Sequence, residues 1–337
     1  MPGRVGDGDT LIYIDTRWVG EHGIGRYARE VTGRLDVEWE SLGLDGSPSS
    51  PTGCLEGDLP TNGLIYSPGY NCFAKARCPQ VVTVHDLIHL ETPWPSRAKY
   101  LAYYDGVLRP NIRRNGHVIT VSEASASAIR TWLRDDSVEV INCGNGVSED
   151  FTPVGDAYEA AHGDNGPYIV YVGNLRAHKN FDVLLEVLSD ARLSDARLVA
   201  VLHERDEALA RAEHHGVRDR VEVLRSLSDP ELAAVYRGAA LMAFPSVLEG
   251  FGLPAAECLS CGTPVVYSTC CASVAEIVGE RGIGVADASD ASEWADAISS
   301  MLAAPVAVDA GEVSSRYRWD DVAKCVGGVL RSMCGVS

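Results

Sequence analysis

Short apolar runs alternate with amphipathic stretches along most of the chain. TLIYIDTRW (Thr10–Trp18) reads as a strand. GEHGIGRYAREVTGRL follows it, with Tyr27, Val31 and Leu35 on one helical face. GLIYSPGY and PQVVTVHDLIHL predict two more strands, residues 96–115 a long helix, and GHVITVS another strand. Ser122 is placed to cap a helix from Glu123 to about Leu133. VEVINCGNGVSEDFTPV then supplies a strand and a turn, and AYEAAHGDNG is polar and glycine-containing, which puts a domain boundary at about 150–166. The second half repeats the alternation. PYIVYVGN, RLVAVLH, VEVLRS, ALMAFPS and TPVVYS read as strands. FDVLLEVLSDA, DEALARAEHHG, SDPELAAVYRGA and PAAECLSCG read as helices between them, and a short helix in SVAEIVGE and a last helical pair ending near residue 333 follow. Strand–helix alternation in two successive blocks predicts an α/β protein of two doubly wound, Rossmann-like domains.

The stretch PSVLEGFGLPAAE, Pro245 to Glu257, carries the most chemistry. A buried strand should end at Pro245, and a helix should start with Pro254 at its first position and stop before Gly262. Glu249 precedes the glycine turn, Gly250-Phe251-Gly252-Leu253, and Glu257 is expected in or near the first helical turn. A strand, a glycine loop and a helix N-terminus aim backbone N–H groups outward, toward a phosphate or a hydroxyl-rich ligand. Taken alone, the same residues also fit a loop with two solvated acids.

At 337 residues, two domains of roughly 150 each are expected. A net charge of −18 argues against a general nucleic-acid binder. No apolar run approaches the ~18 residues of a membrane span, and MPGRVGDGDT lacks the apolar segment of a secretory signal. Ten scattered cysteines, with only Cys258 and Cys261 in CxxC spacing, read mostly as reduced, buried small hydrophobes of a cytoplasmic protein.

Three other places hold candidate chemistry. Gly23 and Gly25 open a strand–turn–helix unit without the strict GxGxxG pattern, and on this segment alone a tight turn that needs glycine explains them better than a phosphate site. His85 and Asp86 end a strand, where open α/β sheets place ligands, although a histidine there can also be a satisfied core residue. Arg176 and Lys179 follow the strand-end Gly173, which suits a diphosphate or an ordinary charged surface. From Lys75 to Arg114 the chain is +4: Lys75, Arg77, Arg97, Lys99, Arg109, Arg113 and Arg114 face Asp86, Glu91 and Asp105. That stretch reads as a solvated helix face or as a patch for an anionic acceptor or membrane.

Together, GIGRYARE, VHD, VSEASASAI, NGV, YVGNLRAHKN, SVLEGFGLPAAECLSCGTPVV and RYRWDDVA resemble, in order and spacing, the retaining glycosyltransferases of family 4. The pattern is most similar to bacterial mannosyltransferases of polysaccharide and O-antigen synthesis. The resemblance implies the GT-B fold, with two Rossmann-like domains facing across a cleft. It places an acceptor domain at 1–155, a nucleotide-sugar donor domain at 166–315, and a helix at 316–337 returning to the first domain. It implies transfer of a sugar, mannose from GDP-mannose first, to a hydroxyl of a glycan or lipid-linked glycan. Glu249 and His85 would act at the sugar. Gly23, Gly25, Arg176, Lys179, Gly250, Phe251, Gly252, Leu253 and Glu257 would bind the donor, Glu257 through the ribose. No metal and no cofactor are implied beyond the nucleotide-sugar substrate. The protein would be cytoplasmic, with the inner membrane surface as a peripheral partner. Where many relatives carry a cation directly after the strand-end glycine, this chain has Asn174, and Arg176 would substitute. Two other readings stay open: a sugar-nucleotide 2-epimerase of the same architecture, and a non-catalytic partner.

Overall fold

The computed structural model describes residues 11–20, 23–49, 53–55, 58–92, 97–160 and 166–335. The N-terminal stretch read for a signal, Glu21 and His22 before the first glycine turn, residues 50–52, 56 and 57, Ser96, and residues 161–165 of the boundary lie outside them. The chain forms two compact units. One runs to Gly146 and resumes at Arg318, and the other is Val147–Tyr317.

The first unit holds β1 (Ile12–Ile14), β2 (Trp39–Ser41), β3 (Leu64–Ser67), β4 (Gln80–Val82), β5 (His117–Thr120) and β6 (Glu139–Asn142). β2, β1, β3 and β4 lie side by side in that order, all parallel. Thr83, just past β4, bridges Ile119 in β5, and β5 pairs with β6, so the parallel order continues. β3 (LIYS) and β4 (QVV) are buried at every position, which is why their sequences do not alternate apolar with exposed polar residues. Ser122 accepts from the Ser125 N–H at 3.0 Å and starts the helix Glu123–Leu133, the cap expected from the sequence.

The long helix is a single run in three parts: Arg97–Tyr103, a wider π-turn at Tyr104–Leu108, and Arg109–Asn115. Pro110 has no N–H to offer the preceding turn, and the Arg109 N–H reaches back five residues to the Tyr104 carbonyl.

The C-terminal helix, Trp319–Cys334, packs on the helix Gly23–Thr32 of the first unit. Arg331 pairs with Asp36 at 2.6 Å, and Trp319 lies edge-on to Tyr27. Gly146 must be glycine here, since a Cβ would stand 2.4 Å from the Trp319 ring. Cys143, just past β6, forms a disulfide with Cys325 in that helix. These two are the exception to the expectation that most of the ten cysteines are reduced. The other eight are free, and six of those are buried. The partners are 182 residues apart, so no local spacing announces the pair. A crosslink closing so long a loop restricts the unfolded chain and typically contributes about 2–4 kcal/mol. Reductant should therefore lower the thermal midpoint by several degrees, and the Cys143→Ser/Cys325→Ser double variant should start low and ignore reductant. Equal midpoints in all four samples would mean that the thiols are not joined.

The second unit holds β7 (Tyr168–Val172), β8 (Arg197–Val201), β9 (Val221–Leu224), β10 (Leu241–Phe244), β11 (Val265–Ser268) and β12 (Gly282–Val285). All six are parallel, in the order β12-β11-β10-β7-β8-β9. Helices cover the sheet, and Trp294, fully buried, anchors the core with its indole N–H donating to the Ala288 carbonyl at 3.1 Å. This is the strand order of dinucleotide-binding folds, and it reverses direction between β7 and β10.

Candidate active site

In open parallel sheets, ligands bind outside the carboxyl ends of the strands where the order reverses. In the second unit those ends belong to β7 and β10. After β7, Asn174 shapes the turn. Its carbonyl accepts from the Tyr171 hydroxyl at 2.6 Å, and its side chain accepts from the Arg176 N–H at 3.1 Å. Asn174 thus fixes the geometry of the turn and brings no charge to it. The turn ends at Lys179. After β10, the Val247 N–H donates to the His178 carbonyl at 2.9 Å and ties the two loops together.

The tie brings Lys179 and Glu249 into contact, with Nζ 2.6 Å from Oε1. Both side chains are nearly buried, at 14% and 12% exposure. Lys179 also sits over the Phe244 ring at 6.0 Å, and Ser273 anchors the Glu249 backbone by donating to its carbonyl at 3.0 Å. A buried ion pair costs desolvation and is weak evidence for stability. Here it holds one cation and one carboxylate ready at the reversal point. His178 stands beside them, and burial pushes its pKa down, with the Glu249 charge opposing.

The glycine turn is compact. Gly252 adopts φ +106°, and a Cβ there would stand 2.6 Å from Val274, so both backbone and space require glycine. Phe251 is buried edge-on against Tyr317, and Gly250 is buried as well. The helix is Leu253–Ser260, one residue earlier than expected, with Pro254 second. Glu257 is therefore its fifth residue, in the second turn and not the first, and it is only 3% exposed. It does not serve the helix dipole. Its carboxylate accepts from the buried Tyr236 hydroxyl at 3.1 Å. Arg176, by contrast, is exposed.

The first unit places its candidates at its own strand ends. His85 follows β4, packs on Tyr27 with ring centres 4.7 Å apart, and is 8% exposed. Its Nε2 donates to the Pro68 carbonyl at 2.9 Å, and burial pushes its pKa down to about 4, so the ring is neutral at pH 7. Gly23 opens the helix Gly23–Thr32 and has open space around it. Gly25 is sterically required, because a Cβ would stand 2.5 Å from the Gly20 carbonyl oxygen.

Sequence reasoning missed a buried network beside β1. Asp15 is fully buried and accepts two bonds from the Arg17 guanidinium, at 2.9 and 2.7 Å, and one from Asn71 at 2.5 Å. The Trp18 indole N–H donates to Asn71 and to Ser67. The DTR triplet at a strand end was the only available signal.

Three of the seven cations in the basic stretch have partners within the first unit. Arg97 donates to the Leu90 carbonyl, and Arg113 to that of Leu133. Arg109 pairs with Asp105 at 2.8 Å and lies over Trp132. Lys75, Arg77, Lys99 and Arg114 are exposed. Among the described residues, no helix is long and apolar enough to cross a membrane.

A parallel sheet with this strand order and reversal point defines a Rossmann-like domain. Residues 158–319, most of the second unit, match the family described as glycosyl transferases group 1. The chain is 27% identical to the O-antigen chain mannosyltransferase RfbU of Salmonella typhimurium over 258 residues, 74% of this chain and 69% of that protein. It is 34% identical to a D-inositol 3-phosphate glycosyltransferase of Xylanimonas cellulosilytica over 170 residues, but that match spans 47% of this chain and only 40% of the relative. In structure it is similar to sucrose-phosphate synthase from Thermosynechococcus elongatus, with TM-score 0.73 and 17% identity over 97% of this chain and 99% of the other. It is also similar to Anabaena Alr3699/HepE, solved with UDP and glucose, with TM-score 0.66 and 17% identity over 96% and 100%. The fold is that of the GT-B glycosyltransferases.

Proposed function

We propose that the chain is a retaining, metal-independent glycosyltransferase. It moves a hexose from a nucleoside diphosphate to a hydroxyl of a glycan or lipid-linked glycan, with mannose from GDP-mannose the first candidate. The observation that carries the reading is the Lys179–Glu249 pair at the β7/β10 reversal, beside the Gly250–Leu253 turn. The similarity to RfbU supports the choice of mannose.

The reaction breaks the bond from the anomeric carbon to the diphosphate oxygen and forms one to the acceptor oxygen. The acceptor proton passes to the departing phosphate, on whose side the acceptor attacks, so configuration is kept. The departing diphosphate needs positive charge as the bond breaks. Lys179, Arg176 and the backbone N–H groups of Gly250, Phe251, Gly252 and Leu253 supply it. Glu249 faces the sugar, where positive charge develops, and Glu257 takes the ribose hydroxyls. The roles that the resemblance assigns to His85, Gly23 and Gly25 belong to the same proposal, with His85 acting through Nδ1 because Nε2 is engaged.

A thermal-shift panel of GDP, UDP and ADP tests the donor assignment, since a bound ligand raises the midpoint by mass action. One of them should raise it, and nucleoside diphosphate should be released from the matching sugar nucleotide whether or not EDTA is present. Activity abolished by EDTA and restored by magnesium or manganese would overturn metal independence. Interconversion of sugar nucleotides without transfer would point to an epimerase.

A further inference from the structure

We infer that Tyr236 is a positioning residue for donor recognition, its phenol fixing the Glu257 carboxylate in the orientation that takes a ribose diol. This rests on the function proposed above and adds the group on which ribose selectivity depends. A carboxylate offers only acceptors, so the phenol is the donor in the 3.1 Å contact. Burial holds the phenol pKa well above its ordinary value, so it keeps its proton.

The ring itself is held. Tyr236 lies in the helix Asp229–Gly238, is fully buried, and stacks at a tilt on Phe151 with centres 5.9 Å apart. Thr263, ahead of β11, donates its hydroxyl to the Tyr236 carbonyl at 2.7 Å. The phenol is therefore a fixed point joining one helix to the next. A glutamate side chain has three rotatable bonds, and tethering one oxygen sets the plane of the carboxylate before a ligand arrives. Such preorganisation shows as affinity, because the ordering cost is met during folding. A vicinal diol needs two acceptor directions at once, so it is more sensitive to that plane than a single hydroxyl.

A purely structural role would also place a phenol against a buried carboxylate, and the two readings separate by ligand. The probe is whichever of GDP, UDP or ADP shifts the midpoint most, together with its 2′-deoxy counterpart. Tyr236→Phe keeps the ring and loses only the hydroxyl. It should weaken ribonucleotide binding about tenfold, as for a lost bond to a charged group, and should change binding of the deoxy analogue by less than about twofold. The donor KM should rise by a similar factor with kcat little changed. Thr263→Val, which loosens the backbone bond but leaves the phenol, should preserve ribose selectivity. In a Glu257→Ala background, Tyr236→Phe should have no further effect on binding. If Tyr236→Phe lowers the midpoint but leaves ribose selectivity intact, the residue is structural and the inference falls. If Glu257→Ala weakens the nucleotide while Tyr236→Phe does not, the inference falls and the function stands. If Glu257→Ala leaves nucleotide binding unchanged, the donor assignment itself is overturned.

Discussion

Glu249→Gln is expected to lower kcat about a thousandfold while nucleoside diphosphate binds at least as tightly as in the wild type. Glutamine keeps the shape and an oxygen that can still accept from Lys179 across the present 2.6 Å contact. What it loses is the charge. In the proposed reaction, the sugar ring gains positive character as its bond to the diphosphate lengthens, and a carboxylate beside it is worth most at that moment. Removing a preorganised electrostatic partner of a transition state typically costs 10²–10³ in rate, roughly 3–4 kcal/mol. The nucleotide behaves differently. Glu249 pairs with Lys179 in the structure, and in the proposed site a diphosphate competes with it for the same ammonium. Glutamine competes less, so binding holds or tightens. A loss confined to kcat is the mark of an interaction made chiefly in the transition state. Calorimetry with the diphosphate, set beside steady-state rates, checks both halves. Normal turnover in this variant would remove Glu249 from the chemistry.

The parallel architecture was legible because each core strand is a short aliphatic run between glycine turns and helical patterns. Two edge strands were not. β12 reads GIGV, and its glycines carry no side chain to mark a period, yet a Cβ on Gly282 would stand 2.0 Å from the Val265 carbonyl oxygen. β2 reads WES, mostly exposed and too short for any pattern. The site was legible one residue at a time. Lys179 and Glu249 each advertise themselves beside a strand-end glycine turn, but their contact spans 70 residues and follows from the sheet order. The Tyr236–Glu257 bond joins the helix that carries the expected ribose carboxylate to one whose sequence singled out no residue. The Cys143–Cys325 pair depends on the final helix returning to the first unit. In each case the sequence supplied the chemistry, and the topology supplied the partner.

Lys179→Ala should fail in the opposite sense from Glu249→Gln. In the proposed site its ammonium is the best-placed cation for a diphosphate, since Arg176 is exposed and Asn174 carries no charge. A charge at contact distance from a phosphate is worth up to ~4 kcal/mol at an effective dielectric of about 20. Nucleoside diphosphate affinity should therefore fall by about 10²–10³-fold, and activity should fall with it. A second effect follows from the partner left behind. Glu249, 12% exposed, loses its counter-ion and stays near the Tyr171 hydroxyl in a largely dry setting. Breaking a buried pair from one side typically costs 3–5 kcal/mol, and partial exposure of both groups puts this case at or below the lower end. The thermal midpoint of the ligand-free protein should drop. Lys179→Ala/Glu249→Gln should recover most of that drop without regaining affinity, because the orphaned charge is gone but the diphosphate still lacks its cation. Calorimetry and thermal unfolding on the two single variants and the double variant measure the cycle. If Lys179→Ala binds the nucleotide like the wild type, the diphosphate lies elsewhere and the reversal point of β7 and β10 is not where this donor is held.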